Sequence, residues 1–436
     1  MANRAFAASF LLVSAVVAWV TITVPIAARA LQLGVLLSMV YVGYLAWRGM
    51  RVMGAAIRGR AADPPAAARD DPFVSLVIPA RNEARVIAAS VTSLAAQRYG
   101  DGAPRFDVLV VDDGSADGTG AAAAAGTITA HVRVLRREPG PGPRTKASVL
   151  AFAHPSIRGE VIGVVDADTR VEEAFLARVM GAWRRDPSAA AIQVARRPRN
   201  AGRSWLTAAQ AEEQLMDMAS QCGRRVTDGT AELRGNGMFV CRDVLEAMGG
   251  WNVHALTEDL DLSTRLSAAG HHVTLAPEVA VEEEAVETLG ALWHQRLRWA
   301  EGSLRRLLEH GPGLLAGPLS LGHKLDFIAF AAEFLLPPLF ATTILASLVT
   351  IPLPQPADWT VPASLFAGYG LGVFLLALGG LSAAGVRGLP LVGRALRGAL
   401  FLSHWLLVVP VALWRIAFGR EPTGFVQTPR FGGDPA

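Results

Sequence analysis

Long runs without a charged side chain constrain this chain more than any motif does. Residues 5–28, 30–47, 334–357 and 359–386 contain no Asp, Glu, Lys or Arg. Each has about the length a helix needs to cross a bilayer. Arg48, Arg51, Arg58 and Arg60 crowd the end of the second run. Basic residues stay on the cytoplasmic side, so the chain beyond Arg60 is expected in the cytosol. A cleaved signal peptide suits the first run poorly: there is no clear small-residue cleavage site and a second run comes at once. Residues 398–414 form a shorter uncharged run, at the lower limit for a crossing. Leu304, Leu307 and Leu308 make an apolar stripe beside Arg305 and Arg306, the pattern of a helix lying in the interface. The pattern predicts two transmembrane helices over 1–60, a globular domain over 73–302 and an interfacial helix over 303–323. Further transmembrane helices are expected over 324–417, then a tail over 418–436. The chain is thus expected to be a multi-pass protein of the cell's inner (plasma) membrane.

Residues 61–72, rich in Ala, Pro and Asp, read as a linker. Beyond it, strand and helix patterns alternate. Val74–Ile78, Phe106–Val111 and His131–Leu135 read as short strands, with a helix over Val86–Gln97 and another beginning at Lys146. Val161 to Asp168, Val-Ile-Gly-Val-Val-Asp-Ala-Asp, reads as a buried strand with a polar tip. This alternation predicts a doubly wound, mainly parallel α/β sheet. Ligands of such sheets sit beyond the carboxyl ends of the strands. Three strand ends here carry Pro79-Ala80-Arg-Asn82-Glu83, Asp112-Asp113-Gly-Ser, and Asp166-Ala-Asp168. One of Asp112 and Asp113 suits a helix cap. Together the acids would repel unless a cation or a hydrogen-bonding ligand fills the cleft. On an extended strand, Asp166 and Asp168 would face one hard cation together.

The absence of a Walker loop and of Gly-x-Gly-x-x-Gly after the first strand argues against kinase-like and dinucleotide chemistry. Cys222 and Cys241 are the only cysteines, too few for a disulfide framework or a cysteine zinc site. The formal net charge of +3 is small, and no nucleic-acid partner is expected. Further on, Arg234-Gly-Asn-Gly places two glycines where backbone can approach a ligand, or where a strand bulges. Thr257-Glu258-Asp259-Leu-Asp261 opens a helical pattern, and one of its acids suits a catalytic base. Gln295, Arg298 and Trp299 fall on one helix face. That face offers bidentate donors for a phosphate and a flat ring for a sugar, although Arg and Trp near a membrane also suit an interface anchor.

In this order the motifs resemble the membrane-embedded family 2 glycosyltransferases, the group of cellulose, chitin and hyaluronan synthases, poly-N-acetylglucosamine synthase and ceramide glucosyltransferase. The resemblance spans residues 73–302. It implies a GT-A-type fold, a nucleotide-sugar donor (UDP-sugar), Mg²⁺ or Mn²⁺, and inversion at the anomeric carbon. It makes Asp113 a nucleoside contact, Lys146 a residue near the diphosphate, Asp166 a donor contact and Asp168 the metal ligand. Asp259 resembles the base, and Gln295, Arg298 and Trp299 the motif holding diphosphate and acceptor. All members of the set are present, which argues against an inactive scaffold. The Gln-x-x-Arg-Trp motif favours elongation of a polysaccharide, with an accessory export subunit as a possible partner. Transfer of one sugar to a membrane lipid is the alternative. Gly424 to Arg430 resembles a segment that lies by the cytosolic active site of relatives; either residues 400–413 are re-entrant or interfacial and the tail is cytosolic, the reading taken here, or the resemblance of the tail is accidental.

Overall fold

The computed structural model describes residues 2–59, 71–101, 103–125, 131–317, 319–350 and 363–419. The expected tail from residue 420 onward and most of the linker lie outside the described residues.

Seven strands form one mixed sheet: β1 (Val74–Ala80), β2 (Phe106–Asp112), β3 (Val132–Arg136), β4 (Val161–Val164), β5 (Ala191–Pro198), β6 (Met238–Cys241) and β7 (Val273–Glu283). Their order is β3-β2-β1-β4-β6-β5-β7. All adjacent pairs are parallel except those made by β6, which runs against both β4 and β5. The sheet is therefore mainly parallel, as the alternating pattern predicts. Helices α1 (Ala2–Thr23) and α2 (Pro25–Gly59) precede it. Interleaved with its strands are α3 (Ile87–Ala95), α4 (Thr119–Ala125), α5 (Lys146–Ala153), α6 (Phe175–Arg184), α7 (Trp205–Val226), α8 (Arg242–Ala247) and α9 (Glu258–Ala268). After it come α10 (Leu289–Ala316), α11 (Leu321–Thr350), α12 (Ala363–Ala383), α13 (Leu389–Leu402) and α14 (Trp405–Phe418).

Both faces of the sheet are covered, so its central strands read as continuous apolar runs instead of alternating ones. Leu76, Ile78, Val108 and Val110 pack on one face with Phe175 and Phe239. Val77, Leu109, Val111, Ile162 and Val164 pack on the other with Leu150 and Leu262. Gly163 in β4 has no room for a side chain: a Cβ there would fall 2.5 Å from the Phe239 ring.

The domain is not separate from its helical flanks. α7 packs on α2, α12 and α13, while α14 packs on α1, α10 and α11. At the α2–α7 crossing the backbones almost touch, since a Cβ on Gly223 would lie 2.0 Å from the Leu45 carbonyl oxygen. Small residues permit such an approach.

One expected boundary falls inside a helix. α10 runs unbroken through the boundary placed at 302/303, so the Gln-x-x-Arg-Trp helix and the stripe at Leu304 are one element. Leu304 is buried against α14, and Arg306 is buried in an ion pair with Glu232. These residues face protein on those sides instead of lying free on an interface. Among the described residues, two stretches are long and apolar enough to cross a bilayer, Asn3–Val20 and Leu389–Phe418. The second is broken at Ser403 and His404, whose amides bond back only three residues, to Leu400 and Phe401.

Candidate active site

A cavity of about 520 Å³ opens beyond the carboxyl ends of β1 and β2 and the turn after β4. Its polar end takes in Pro79, Ala80, Glu83, Asp113, Lys146, Asp166, Glu258, Asp259, Gln295, Arg298 and Trp299. Three other sequence candidates lie elsewhere. Asp112 is buried behind the rim, where Oδ1 accepts from the Ser115 amide and Oδ2 binds Arg136 at 3.0 Å. It closes the turn, which is the capping role open to one of the pair. Asn82 also fastens loops: its backbone, at φ 54°, donates to Ser115, and its Oδ1 accepts from the Ala116 amide. Asp168 is 2% exposed, and its Oδ2 accepts from the Glu284 amide at 2.7 Å.

The separation of Asp166 from Asp168 has a backbone cause. β4 ends at Val164, and the Thr169 amide bonds to the Asp166 carbonyl, so residues 166–169 form a turn. The alternation that would aim both carboxylates at one point does not apply in a turn. Asp166 reaches the cavity and Asp168 points into packed protein. Among the described residues no group of three or more His, Cys, Asp or Glu is arranged to hold a metal ion.

Lys146 is fixed by its place at the first turn of α5, which a reciprocal Thr145–Ser148 capping box closes. Its Nζ sits 2.7 Å from Asp166 Oδ1 and 3.1 Å from Glu258 Oε1, and donates to the Gly235 carbonyl. Burial disfavours its charge, but Asp166 and Glu258 outweigh that and hold it protonated well beyond the usual lysine range. Glu258 and Asp259 open α9, where the helix dipole favours acids. Burial first, and the adjacent Glu258 second, push Asp259 up to about 6. Its Oδ1 accepts from the Leu260 amide at 2.9 Å. Gly235, at φ 77°, passes so close that a Cβ would lie 3.2 Å from Asp259 Oδ2.

Several residues that sequence reasoning passed over complete the wall. Asn236, between two glycines of positive φ, accepts from the Asp166 amide and the Thr169 hydroxyl and donates to Glu283. It is the bridge that sets the Asp166 turn, and its position inside Gly-Asn-Gly was the signal that could have found it. Arg196 binds Glu283 at 2.9 Å, and despite burial holds that carboxyl below its usual range. The guanidinium of Arg196 lies 5.5 Å from the Trp299 ring centre and that of Arg296 lies 4.1 Å from it. Arg234 binds Asp217 through both Nε and a terminal nitrogen of its fork and also reaches Glu232 at 3.0 Å. The arginines at the polar end of an otherwise apolar β5 belong to no motif, and Arg234 entered the sequence reading only as the residue before Gly-Asn-Gly.

Past Trp299 the same cavity turns apolar. Its far arm is walled by Phe334, Pro337 and Phe340 of α11, Tyr369, Val373 and Leu376 of α12, and Trp405, Leu406 and Val409 of α14. The Phe340 and Tyr369 rings meet across the α11–α12 interface at 5.2 Å between centres.

The sequence profile described as "Glycosyltransferase like family 2" matches residues 71–302. A beta-monoglucosyldiacylglycerol synthase of Synechocystis sp. is 34% identical over 362 residues, covering 82% of this chain and 74% of that protein. A poly-beta-1,6-N-acetyl-D-glucosamine synthase of Staphylococcus epidermidis is 24% identical, over 57% of this chain and 59% of its own length. The mannosyltransferase PcManGT from Pyrobaculum calidifontis, solved in complex with GDP-Man and Mn²⁺, superposes with a TM-score of 0.57. It is 20% identical, covers 89% of this chain and is itself covered completely, a likeness of fold. With the family's profile over more than half of its length and a relative one-third identical over most of it, the chain belongs to the family 2-like glycosyltransferases and is a glycosyltransferase.

Proposed function

We propose that this enzyme transfers one sugar from a nucleotide-sugar, a UDP-sugar by resemblance, to a membrane lipid of the diacylglycerol class. The transfer takes place at the cytosolic face of the membrane. The observation that carries the reading is the continuity of the cavity: its charged end runs without a partition into an arm lined by Phe, Tyr, Trp, Leu and Val. Aromatic rings stack on sugars too, but Pro337, Val373, Leu376, Leu406 and Val409 offer the hydroxyls of a growing polysaccharide no partner. An acyl chain gains about 0.8 kcal/mol for each methylene it buries. The beta-monoglucosyldiacylglycerol synthases among the relatives support the same acceptor class. The polymer-building reading, favoured by the motif alone, therefore gives way to its alternative, and no export subunit is required.

In the reaction, the acceptor hydroxyl attacks the anomeric carbon while the bond from that carbon to the diphosphate oxygen breaks, inverting the centre. Asp259 takes the hydroxyl proton. With a pKa near 6 it is ionised at neutral pH yet basic enough to compete for that proton. Lys146 and Arg298 meet the charge growing on the leaving nucleoside diphosphate. Asp113 contacts the nucleoside, and Gln295 and Trp299 flank the place where donor and acceptor meet. Asp166, the one of the two carboxylates that reaches the cavity, would bind Mg²⁺ or Mn²⁺ with phosphate oxygens and waters completing the shell, and the cation would neutralise diphosphate charge; Asp168 is engaged with the Glu284 amide and does not face that place.

A diacylglycerol with a photoreactive group near the end of one acyl chain tests the acceptor assignment. Crosslinks to peptides of α11 and α12, competed by unlabelled diacylglycerol, are expected. Labelling spread over the protein surface, or none above background, would overturn it.

A further inference from the structure

We infer that a closed circuit of side chains in the middle of the cavity is a charge-neutral filter, which admits an uncharged glycerolipid head and turns away an anionic one. The inference rests on the acceptor reading above and extends it to the head the site selects and the residue that selects it.

The circuit can be followed contact by contact. Gln214 of α7 donates to Glu283 at the end of β7 at 2.6 Å, and Glu283 binds Arg196 of β5 at 2.9 Å. The Arg196 and Arg296 guanidinium groups both lie by the Trp299 ring, 5.5 and 4.1 Å from its centre. Arg296 in turn binds Glu213, the neighbour of Gln214 in α7. Every member lines the cavity. Trp299 belongs to the charged end, while Glu213 also accepts from the Trp405 indole at 3.2 Å, and Trp405 walls the apolar arm. The circuit therefore joins the two ends. A lipid with an acyl chain in the arm and its hydroxyl at Asp259 lays its glycerol along these residues.

Two arginines and two carboxylates leave the circuit without net charge, and both arginines are committed. Arg196 reaches Glu283 through Nε and a terminal nitrogen, and its other terminal nitrogen donates to the Arg234 carbonyl. Arg296 is buried against Glu213. Burial pulls Arg296 below the ordinary arginine value, and Glu213 is the largest charge opposing that. Arg234 beside them is held by Asp217 and Glu232. What remains for a ligand is hydrogen bonding and ring stacking. A hydroxyl or an ester can use these without bringing a charge. A phosphate monoester would lose its water and meet two carboxylates whose cations are already paired, and a buried charge is tolerated only when it is itself paired. Selection then works by penalising the wrong ligand. Glu213 decides it, because its loss alone would leave the Arg296 charge uncommitted at the cavity wall. Glu283 is less separable from the donor end, since it also holds Asn236, which sets the Asp166 turn.

The test uses the full chain in phosphatidylcholine nanodiscs, with diacylglycerol as acceptor and phosphatidic acid of the same acyl chains as competitor. In the natural protein, half-inhibition should need about tenfold more phosphatidic acid than diacylglycerol, or beyond. Glu213→Gln should be inhibited by about tenfold less phosphatidic acid than the natural protein. The charge of the lipid surface acts alike on both proteins, so their ratio reports the site. Equal competition by the two lipids in the natural protein, or the same inhibition in both proteins, would overturn the inference. Retained UDP binding shows that the variant is folded. Where it is not, Glu213→Leu combined with Arg296→Met removes the pair and both charges together. That variant should raise KM for diacylglycerol about tenfold and still reject phosphatidic acid; an unchanged KM or strong inhibition would overturn the filter. A polymeric product from the natural protein would strike the acceptor reading and the filter with it, whereas a lipid product made without discrimination strikes the filter alone.

Discussion

Replacing Asp259 by Asn separates catalysis from stability in this site. The carboxyl titrates at about 6 in the folded protein against an ordinary value of 3.8. The folded state therefore binds this proton more tightly than the unfolded state does. Above pH 6 the chain carries a buried ionised group that costs about 3 kcal/mol at most, at about 1.4 kcal/mol for each pH unit separating the two values. Below pH 4 the group is protonated in both states and the cost is gone. Asn keeps an oxygen for the Leu260 amide and cannot ionise. Asp259→Asn is thus expected to raise the denaturant midpoint at pH 7, with the gain shrinking as pH falls through 6 towards 4. Transfer should drop by about 10²–10⁴, the usual worth of general-base help. Calorimetric binding of UDP should stay within a factor of about three of the natural protein's. The wild-type kcat/KM should rise with pH through 6 and level off. A destabilised variant at pH 7 with no pH-dependent convergence would refute the electrostatic account. Lost UDP binding would remove Asp259 from the base role.

Lys146→Met should weaken UDP binding at least tenfold, since it removes the cation between Asp166 and Glu258 and leaves the two carboxylates facing each other; unchanged binding would exclude Lys146 from the diphosphate site. Val373→Trp should fill the apolar arm and lower kcat/KM for long-chain diacylglycerol well below that for a short-chain analogue, while leaving UDP binding unchanged; equal losses for both acceptors would show that acyl chains go elsewhere. Glu232→Gln breaks a buried cluster in which one carboxylate meets Arg224, Arg234 and Arg306. Removing one partner of such a cluster costs about 3–5 kcal/mol, so the thermal midpoint should fall markedly at pH 7. Glu232 titrates at about 2 against the usual 4.5, so its contribution is present above pH 4.5 and lost as pH drops towards 2.

The parallel sheet was legible because its strands are buried on both faces and end in polar residues. Val74, Phe106 and Val161 open strands in the expected places. The antiparallel β6 carries no local mark, since Met238–Cys241 is as apolar as its neighbours and its direction is set by the chain returning through α7. Asp113, Lys146, Asp166, Asp259 and Trp299, which the fold brings to one cavity, each belong to a short motif, most of them at the end or start of an element, where sequence pattern is sharpest. Asp168 went differently because the strand stops at Val164, and a hydrogen bond from Thr169 to Asp166, not periodicity, decides where the second carboxylate points. Arg196, Arg234 and Arg296 escaped because a buried arginine and a solvated one look alike in sequence; only the acids opposite, Glu283, Asp217 and Glu213, tell them apart. The apolar arm is assembled from α11, α12 and α14, helices that lie beyond the motif at the cavity's charged end, and packing, not pattern, decides which of their faces meet. No local reading of the chain could join them.

The acceptor is the central claim, and product identity tests it most directly. Purified full-length protein in nanodiscs containing diacylglycerol, with Mg²⁺ or Mn²⁺, is given radiolabelled UDP-sugars. The label should move into a single organic-extractable band whose sugar-to-lipid ratio is one and which depends on added diacylglycerol. A glycosidase-sensitive product of high mass that stays in the aqueous phase and forms without the lipid would contradict the account.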